Sequence, residues 1–267
     1  QGDNYYILAG YPWFKCRARD LFISLPGLTL AIDEVEKFEM VMETARKAVL
    51  HFINNEPSDL KIYEIEHPDI LLWAVWCIQQ YAKMVSREKC IEKYGSLLVK
   101  TMEYIRGGNH PNLFLHPNGL LYTNGTNKAV TWMNSSVNGY PVIPRTGYIV
   151  EINALWYNAL RFVADLQGAS NSALSETLNA LAETTAKSFV DTFLNEYGYL
   201  LDYVDGNMMD WSVRPNMIFT VAFDYSPLDA RQKKSVLDIV TKELLTPKGL
   251  RSLSPKSGGY NPNYVGP

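Results

Sequence analysis

Seven stretches of this chain repeat apolar residues at three- and four-residue steps, and no stretch alternates them over a comparable length. That period is the signature of a helix with one buried face. Asp33 to Ile53 shows it plainly, with Val35, Phe38, Val41, Met42, Ala45, Ala48, Val49 and Phe52 in register before Asn54-Asn55-Glu56-Pro57 closes the run. Asp69 to Val85, Arg87 to Ile105, Glu151 to Leu166, Asn171 to Leu194, Asn216 to Ala222 and Ala230 to Leu245 continue the pattern. The expected fold is all-α. Connections between these helices are unequal: most are short, whereas Gly107 to Gly147 and Thr246 to Pro267 are long, aromatic and rich in Gly, Pro and Asn. Loops of that length in a compact chain usually carry function. Alternating short and long connections suit a toroid of paired helices with the long loops gathered at one mouth, and the absence of a fixed sequence period argues against a regular solenoid.

Composition removes several classes of function. The 267 residues, 47% of them hydrophobic, can fill a substantial core. With 25 Lys plus Arg against 28 Asp plus Glu and no long run of one sign, the chain lacks the concentrated basic surface that nucleic acid requires. No apolar run approaches the roughly 20 residues that cross a bilayer, so no membrane partner is expected. The sequence begins without a basic stretch followed by an apolar one, so no signal peptide is expected, and the scattered Cys16, Cys77 and Cys90 fit a reducing, cytoplasmic compartment better than a disulfide framework.

The most chemically loaded helix is the one that starts at Glu151. Glu151, Leu155 and Asn158 share one face, while Ile152, Trp156 and Ala159 form the next stripe. One face of this helix is therefore expected to present polar groups to a cleft, and a mixture of hydrogen-bonding groups with large aromatics suits a sugar. The 17 Tyr and 6 Trp point the same way, because many lie in connections rather than in periodic segments.

Other chemistries find little support. Asp202, Asp205 and Asp210 sit in a loose calcium-like loop that lacks the ordered spacing and closing glutamate of an EF-hand. His51, His67, His110 and His116 lack zinc spacing, and no Gly-x-Ser-x-Gly elbow exists for acyl transfer. Neither a metal nor an organic cofactor is expected.

Five segments, read in order, resemble the amylo-α-1,6-glucosidase domain of glycogen debranching enzymes. They are Ala9-Gly10-Tyr11-Pro12-Trp13-Phe14 with Arg19-Asp20 and Ser24-Leu25-Pro26-Gly27-Leu28; Asp69 with Leu72-Trp73; Thr131-Trp132-Met133; Pro144-Arg145 with Glu151 to Leu160; and Arg214-Pro215-Asn216 with Leu245 to Arg251. The resemblance implies an (α/α)6 toroid and inverting hydrolysis of α-1,6-linked glucose in branched α-glucans. It covers residues 1–267 as one helical domain, a C-terminally incomplete piece of the catalytic domain, whose ring of twelve helices is not filled and whose general base is expected beyond Pro267. Oligomeric state is left open.

Two departures from the family pattern bear on catalysis. The family's general acid is the aspartate that ends Thr-Trp-Met-Asp, and here that position is Asn134, whose amide cannot donate a proton as a carboxylic acid does. Where the family usually reads Trp-Gly-Arg-Asp, this chain has Arg17-Ala18-Arg19-Asp20. Asp20 and Glu151 are therefore candidates for a relocated acid. The expected sugar contacts are Arg19, Asp20, Asp69, Trp73, Trp132, Asn134, Arg145, Glu151, Asn153, Trp156 and Asn216. The alternatives are a non-catalytic glucan-binding relative and a toroid glucosidase acting on another linkage.

Overall fold

The computed structural model describes residues 3–168 and 170–263 and contains eight α-helices among them. They are α1 (Ala18–Leu28), α2 (Val35–Ile53), α3 (Ile70–Met84), α4 (Arg87–Arg106), α5 (Val150–Gln167), α6 (Ser172–Phe193), α7 (Phe219–Ala222) and α8 (Ala230–Glu243). Seven of these lie where the periodicity places them. The eighth, α1, was concealed by Pro26 and Gly27 in its last turn. Pro26 removes one helical N–H there, but Ala18, Leu21, Phe22 and Leu25 are fully buried, and Thr29 Oγ1 donates to the carbonyl of Leu25.

Several helix starts are written in local chemistry. Ser86 Oγ accepts from the backbone N–H of Lys89 at the start of α4, and Asn171 Oδ1 accepts from that of Leu174 at the start of α6. Asp229 and Gln232 form a reciprocal capping box at the start of α8. Each such cap contributes about 1 kcal/mol.

Helix packing follows a two-layer rule. Consecutive helices pair as hairpins, α3 with α4 and, most extensively, α5 with α6, while α1 packs closely on α3, α3 on α5 and α5 on α7. The odd-numbered helices thus form an inner row and the even-numbered ones an outer row. Burial agrees with that division: 15 of the 18 residues of α5 are buried, against 5 of 22 in α6 and 2 of 14 in α8. No extensive packing closes α7 or α8 back onto α1, so the ring is open among the described residues.

The all-α class stands, with short strands added in the long connections. Phe114–Leu115, Leu121–Thr123, Gly147–Ile149, Tyr203–Asp205 and Met208–Met209 form an antiparallel sheet in that order. Strands of two or three residues are too short to show an alternating pattern, which is why none was legible. Two glycines are required by close approach. A Cβ on Gly147, at φ 108°, would meet the carbonyl of Val204 at 2.2 Å, and one on Gly119, at φ 82°, would meet Thr185 Oγ1 at 2.8 Å. The first lets the strand before α5 lie against Tyr203–Asp205, and the second lets the turn before Leu121–Thr123 sit against α6.

The expected polar face of α5 is not open to a cleft. Glu151, Asn153 and Asn158 are all buried, because α3, α4, α6 and the sheet surround the helix on every side. Their hydrogen bonds go inward: Asn158 and Gln79 exchange two bonds between α5 and α3, of 2.6 and 3.3 Å.

Candidate active-site cleft

The segments preceding the inner helices gather at one place. Arg17 precedes α1, Glu64 to His67 precede α3, the Asn127 to Pro141 segment lies ahead of α5, and Arg214 precedes α7. Cys16–Arg17 pairs in parallel with Ile62–Tyr63, which fixes the approach of the first two. A hollow of about 440 Å³ opens between them, lined by Arg17, Glu64, Glu66, His67, Lys128 and Asn134 among others. A second hollow, of about 250 Å³, is lined by Trp132, Met133, Asn134, Val142, Arg214 and Ser252 among others. Asn134 belongs to both. It is exposed, and its side-chain amide makes no hydrogen bond among the described residues.

Two buried ionic clusters hold this floor in place. In the first, Arg19 grips Asp69 through two hydrogen bonds of 2.7 and 2.8 Å, and Asp69 also accepts from the Trp73 indole at 3.1 Å. The second nitrogen of the Arg19 fork donates to His67 Nδ1 at 3.1 Å. Because arginine can only donate, His67 must carry its proton on Nε2. Burial, followed by the Arg19 charge, pushes the His67 pKa down, so this side chain is a neutral imidazole at the wall of the hollow.

The second cluster centres on Arg145. Its guanidinium binds both carboxylate oxygens of Glu151, donates to Thr131 Oγ1 at 3.1 Å and to the Asp202 carbonyl at 3.2 Å, and lies 2.8 Å from Asp202 Oδ2 as an ion pair outside hydrogen-bond geometry. Arg214 approaches the same Oδ2 at 3.7 Å. Burial drives the Asp202 pKa up to about 6 against the pull of Arg145. Asn216 then links this cluster to the open hollow. Its Nδ2 donates to Asp202 Oδ1 at 2.7 Å, and its Oδ1 accepts from the Trp132 indole at 2.8 Å. Trp132, 39% exposed, is thereby held at the rim.

The expected contacts divide into three groups. Trp132 and Asn134 line the hollows directly. Arg19, Asp69, Trp73, Arg145, Glu151 and Asn216 are buried supports behind the wall. Asn153 and Trp156 are further removed: Asn153 makes three bonds to the backbone of Leu121 and Ile149, and Trp156 donates to the Gly119 carbonyl. The expectation that Glu151 is a proton donor fails on geometry, since both its oxygens are committed to Arg145 and the group is sealed from ligand. Asp20 is exposed on the first turn of α1, outside the lining of both hollows.

Several cleft residues were not foreseen. Glu64, Glu66 and Lys128 bring charge to the first hollow, with Lys128 on Glu66 at 2.8 Å. Burial raises the Glu66 pKa, but the hydrogen bond and charge of Lys128 outweigh it and keep the carboxyl below its usual range. Glu64 sits 3.4 Å from Arg17, whose guanidinium in turn covers the Phe14 ring at 4.7 Å, tying the exposed Gly10-to-Phe14 loop to the rim. Asp202, set aside as part of a loose calcium loop, is instead a counter-ion of Arg145. Only the Glu64-Ile65-Glu66-His67 run just before Asp69 offered a signal in advance.

An open ring of helical hairpins, with a polar and aromatic cleft built from the loops ahead of its inner helices, is the architecture of the toroid glycoside hydrolases. The crystal structure of a bacterial glucoamylase complexed with acarbose shares this fold at a TM-score of 0.57 and 14% sequence identity, over 88% of this chain and 34% of that one. The chain thus spans about a third of that neighbour's length. A model of the amylo-alpha-1,6-glucosidase family matches residues 2–267, and the chain belongs to that family. No curated protein matches it.

Proposed function

We propose that this chain forms the cleft wall of a debranching-type glycoside hydrolase that cleaves α-1,6 branches of glycogen-like α-glucans with inversion. The observation that carries this reading is Asn134, whose side-chain amide has no hydrogen-bond partner among the described residues, at the junction of two hollows beside a Trp132 ring fixed by Asn216. A glucose ring laid on Trp132 would find hydroxyl partners in Asn134, Arg214 and Ser252, while Glu64, Glu66 and neutral His67 offer acceptors and a donor to the adjoining unit. Arg19, Asp69, Arg145, Glu151 and Asn216 act by holding those groups in position. The 267 residues form one helical toroid domain on this reading. Among the described residues no helix is long and apolar enough to cross a membrane, and three buried free cysteines favour a cytoplasmic setting.

Inverting hydrolysis needs one acid to protonate the leaving oxygen and one carboxylate to activate water, held roughly 6.5–9.5 Å apart. Asn134 can hydrogen-bond the glycosidic oxygen but cannot protonate it. That same fact favours a second reading, a glucan-binding relative without turnover. Incubation with a branched limit dextrin separates the two. Free glucose supports the hydrolase, and retention of the dextrin without glucose supports the binding relative.

A further inference from the structure

A third hollow, of about 430 Å³, lies outside the cleft, lined by Tyr199, Asp210, Trp211, Glu243 and Lys256 among others. It shares one strip of backbone with the cleft. The N–H of Ser254 donates to the carbonyl of Val213 at 3.0 Å; both residues line this hollow, whereas Arg214 and Ser252 beside them line the hollow that holds Trp132.

Its aromatic rim is assembled in advance. Asn195 Oδ1 accepts from the backbone N–H groups of Tyr197 and Tyr199, the Tyr199 hydroxyl donates to the Trp211 carbonyl at 3.3 Å, and the Tyr197 ring stacks on Tyr199 and meets the edge of Trp211. Despite this order the outer rings stay in solvent, Tyr197 at 70% and Trp211 at 43% exposure. The opposite rim is polar. Lys256 and the hydroxyl of Ser254 both bind the carboxylate of Glu243 where α8 ends, and Asp210 takes the Ser212 N–H on one oxygen, leaving the other 4.0 Å from Arg214.

We propose that this hollow is a second glucan site, one that binds a linear α-1,4-linked chain without cleaving it. The chemistry selects a sugar over other ligands. Flat exposed rings match the apolar C–H face of a pyranose, and carboxylates with hydroxyls match its edge. Two lining carboxylates, with the one lysine already paired, oppose phosphate and nucleic acid. That the sugar is an α-glucan rests on the reading of the cleft, because the shared strip would let one branched molecule occupy both hollows.

Affinity electrophoresis through gels containing linear amylose, which lacks the branches that the cleft would take, reads this site, and glucose release from limit dextrin reads the cleft. Trp211→Ala should reduce retardation about tenfold, with turnover of a short branched oligosaccharide unchanged. Tyr197→Ala, at a ring that is largely in solvent, should weaken retardation in the same direction. Retardation unchanged in both variants would overturn the proposal. A protein that releases no glucose yet loses retardation on Trp211→Ala would refute the hydrolase reading and leave the second site standing.

Discussion

The first turns of α5 and the Thr131-to-Ile143 loop hold the same residue types and use them in opposite ways. Each brings a tryptophan and an asparagine within four residues. Trp156 and Asn153 are 0% exposed, whereas Trp132 is 39% exposed and Asn134 faces solvent. Asn153 satisfies both of its polar ends on the backbone of Leu121 and Ile149, and so fastens a strand to a helix. The Asn134 side chain has no such partner among the described residues and remains available to a ligand. Polar residues in an apolar segment therefore do not by themselves mark a binding face; what matters is whether their hydrogen bonds end inside the protein.

The largest test of this contrast is Arg145→Met. It leaves Glu151 and Asp202 buried without their cation, which should remove about 3–5 kcal/mol of stability in chemical denaturation. A loss well under 1 kcal/mol would mean the cluster is open to water. On the exposed side, Asn134→Asp places a carboxyl at the position where the resemblance puts the general acid. Glucose release from limit dextrin should rise by about 10²-fold or more, the usual contribution of a positioned general acid, and an unchanged rate would place the acid elsewhere.

Smaller effects sharpen the same comparison. Asn153→Ala should cost about 1–3 kcal/mol because it strips partners from buried backbone groups, whereas Asn134→Ala should stay within about 0.5 kcal/mol as an ordinary surface change. Equal thermal shifts for the two would mean that Asn153 and Asn134 are not differently bonded. Finally, burial pushes the Asp202 pKa up to about 6 in the folded protein, above the value of about 3.9 in an unfolded chain. Between those values the native state binds the extra proton, so this group adds stability as pH falls from 6 toward 4 and withdraws it as pH rises. Melting curves over that range should show the wild type gaining on Asp202→Asn as pH falls, and parallel curves would contradict the assignment.

Much of the helical frame was legible and less of the cleft was. Seven helices announced themselves because a three-to-four residue period is a local property, carried by runs such as Val35 to Phe52. α1 did not, since Pro26 and Gly27 suggest a break that buried Leu21, Phe22 and Leu25 override. In the cleft, Trp132 and Asn134 were readable from their place in a motif. The roles of Glu64, Glu66 and Asp202 were not, because their partners Arg17, Lys128 and Arg145 lie 47, 62 and 57 residues away. Asp69 was singled out, yet its bond to Arg19 across 50 residues makes it a support behind the wall.

The sequence by itself determined the helices, the long loops and the family. It also established that position 134 carries an amide, which cannot give up a proton as a carboxylic acid does. Only the tertiary structure decided which polar residues meet the cleft. A helical period says which side chains share a face, but not what that face abuts, and for Glu151 the answer came from Arg145, α3, α6 and the strand Tyr203–Asp205 closing around it. Exposure is a sum over neighbours distant in the chain, so it is settled when the hairpins pack and not before.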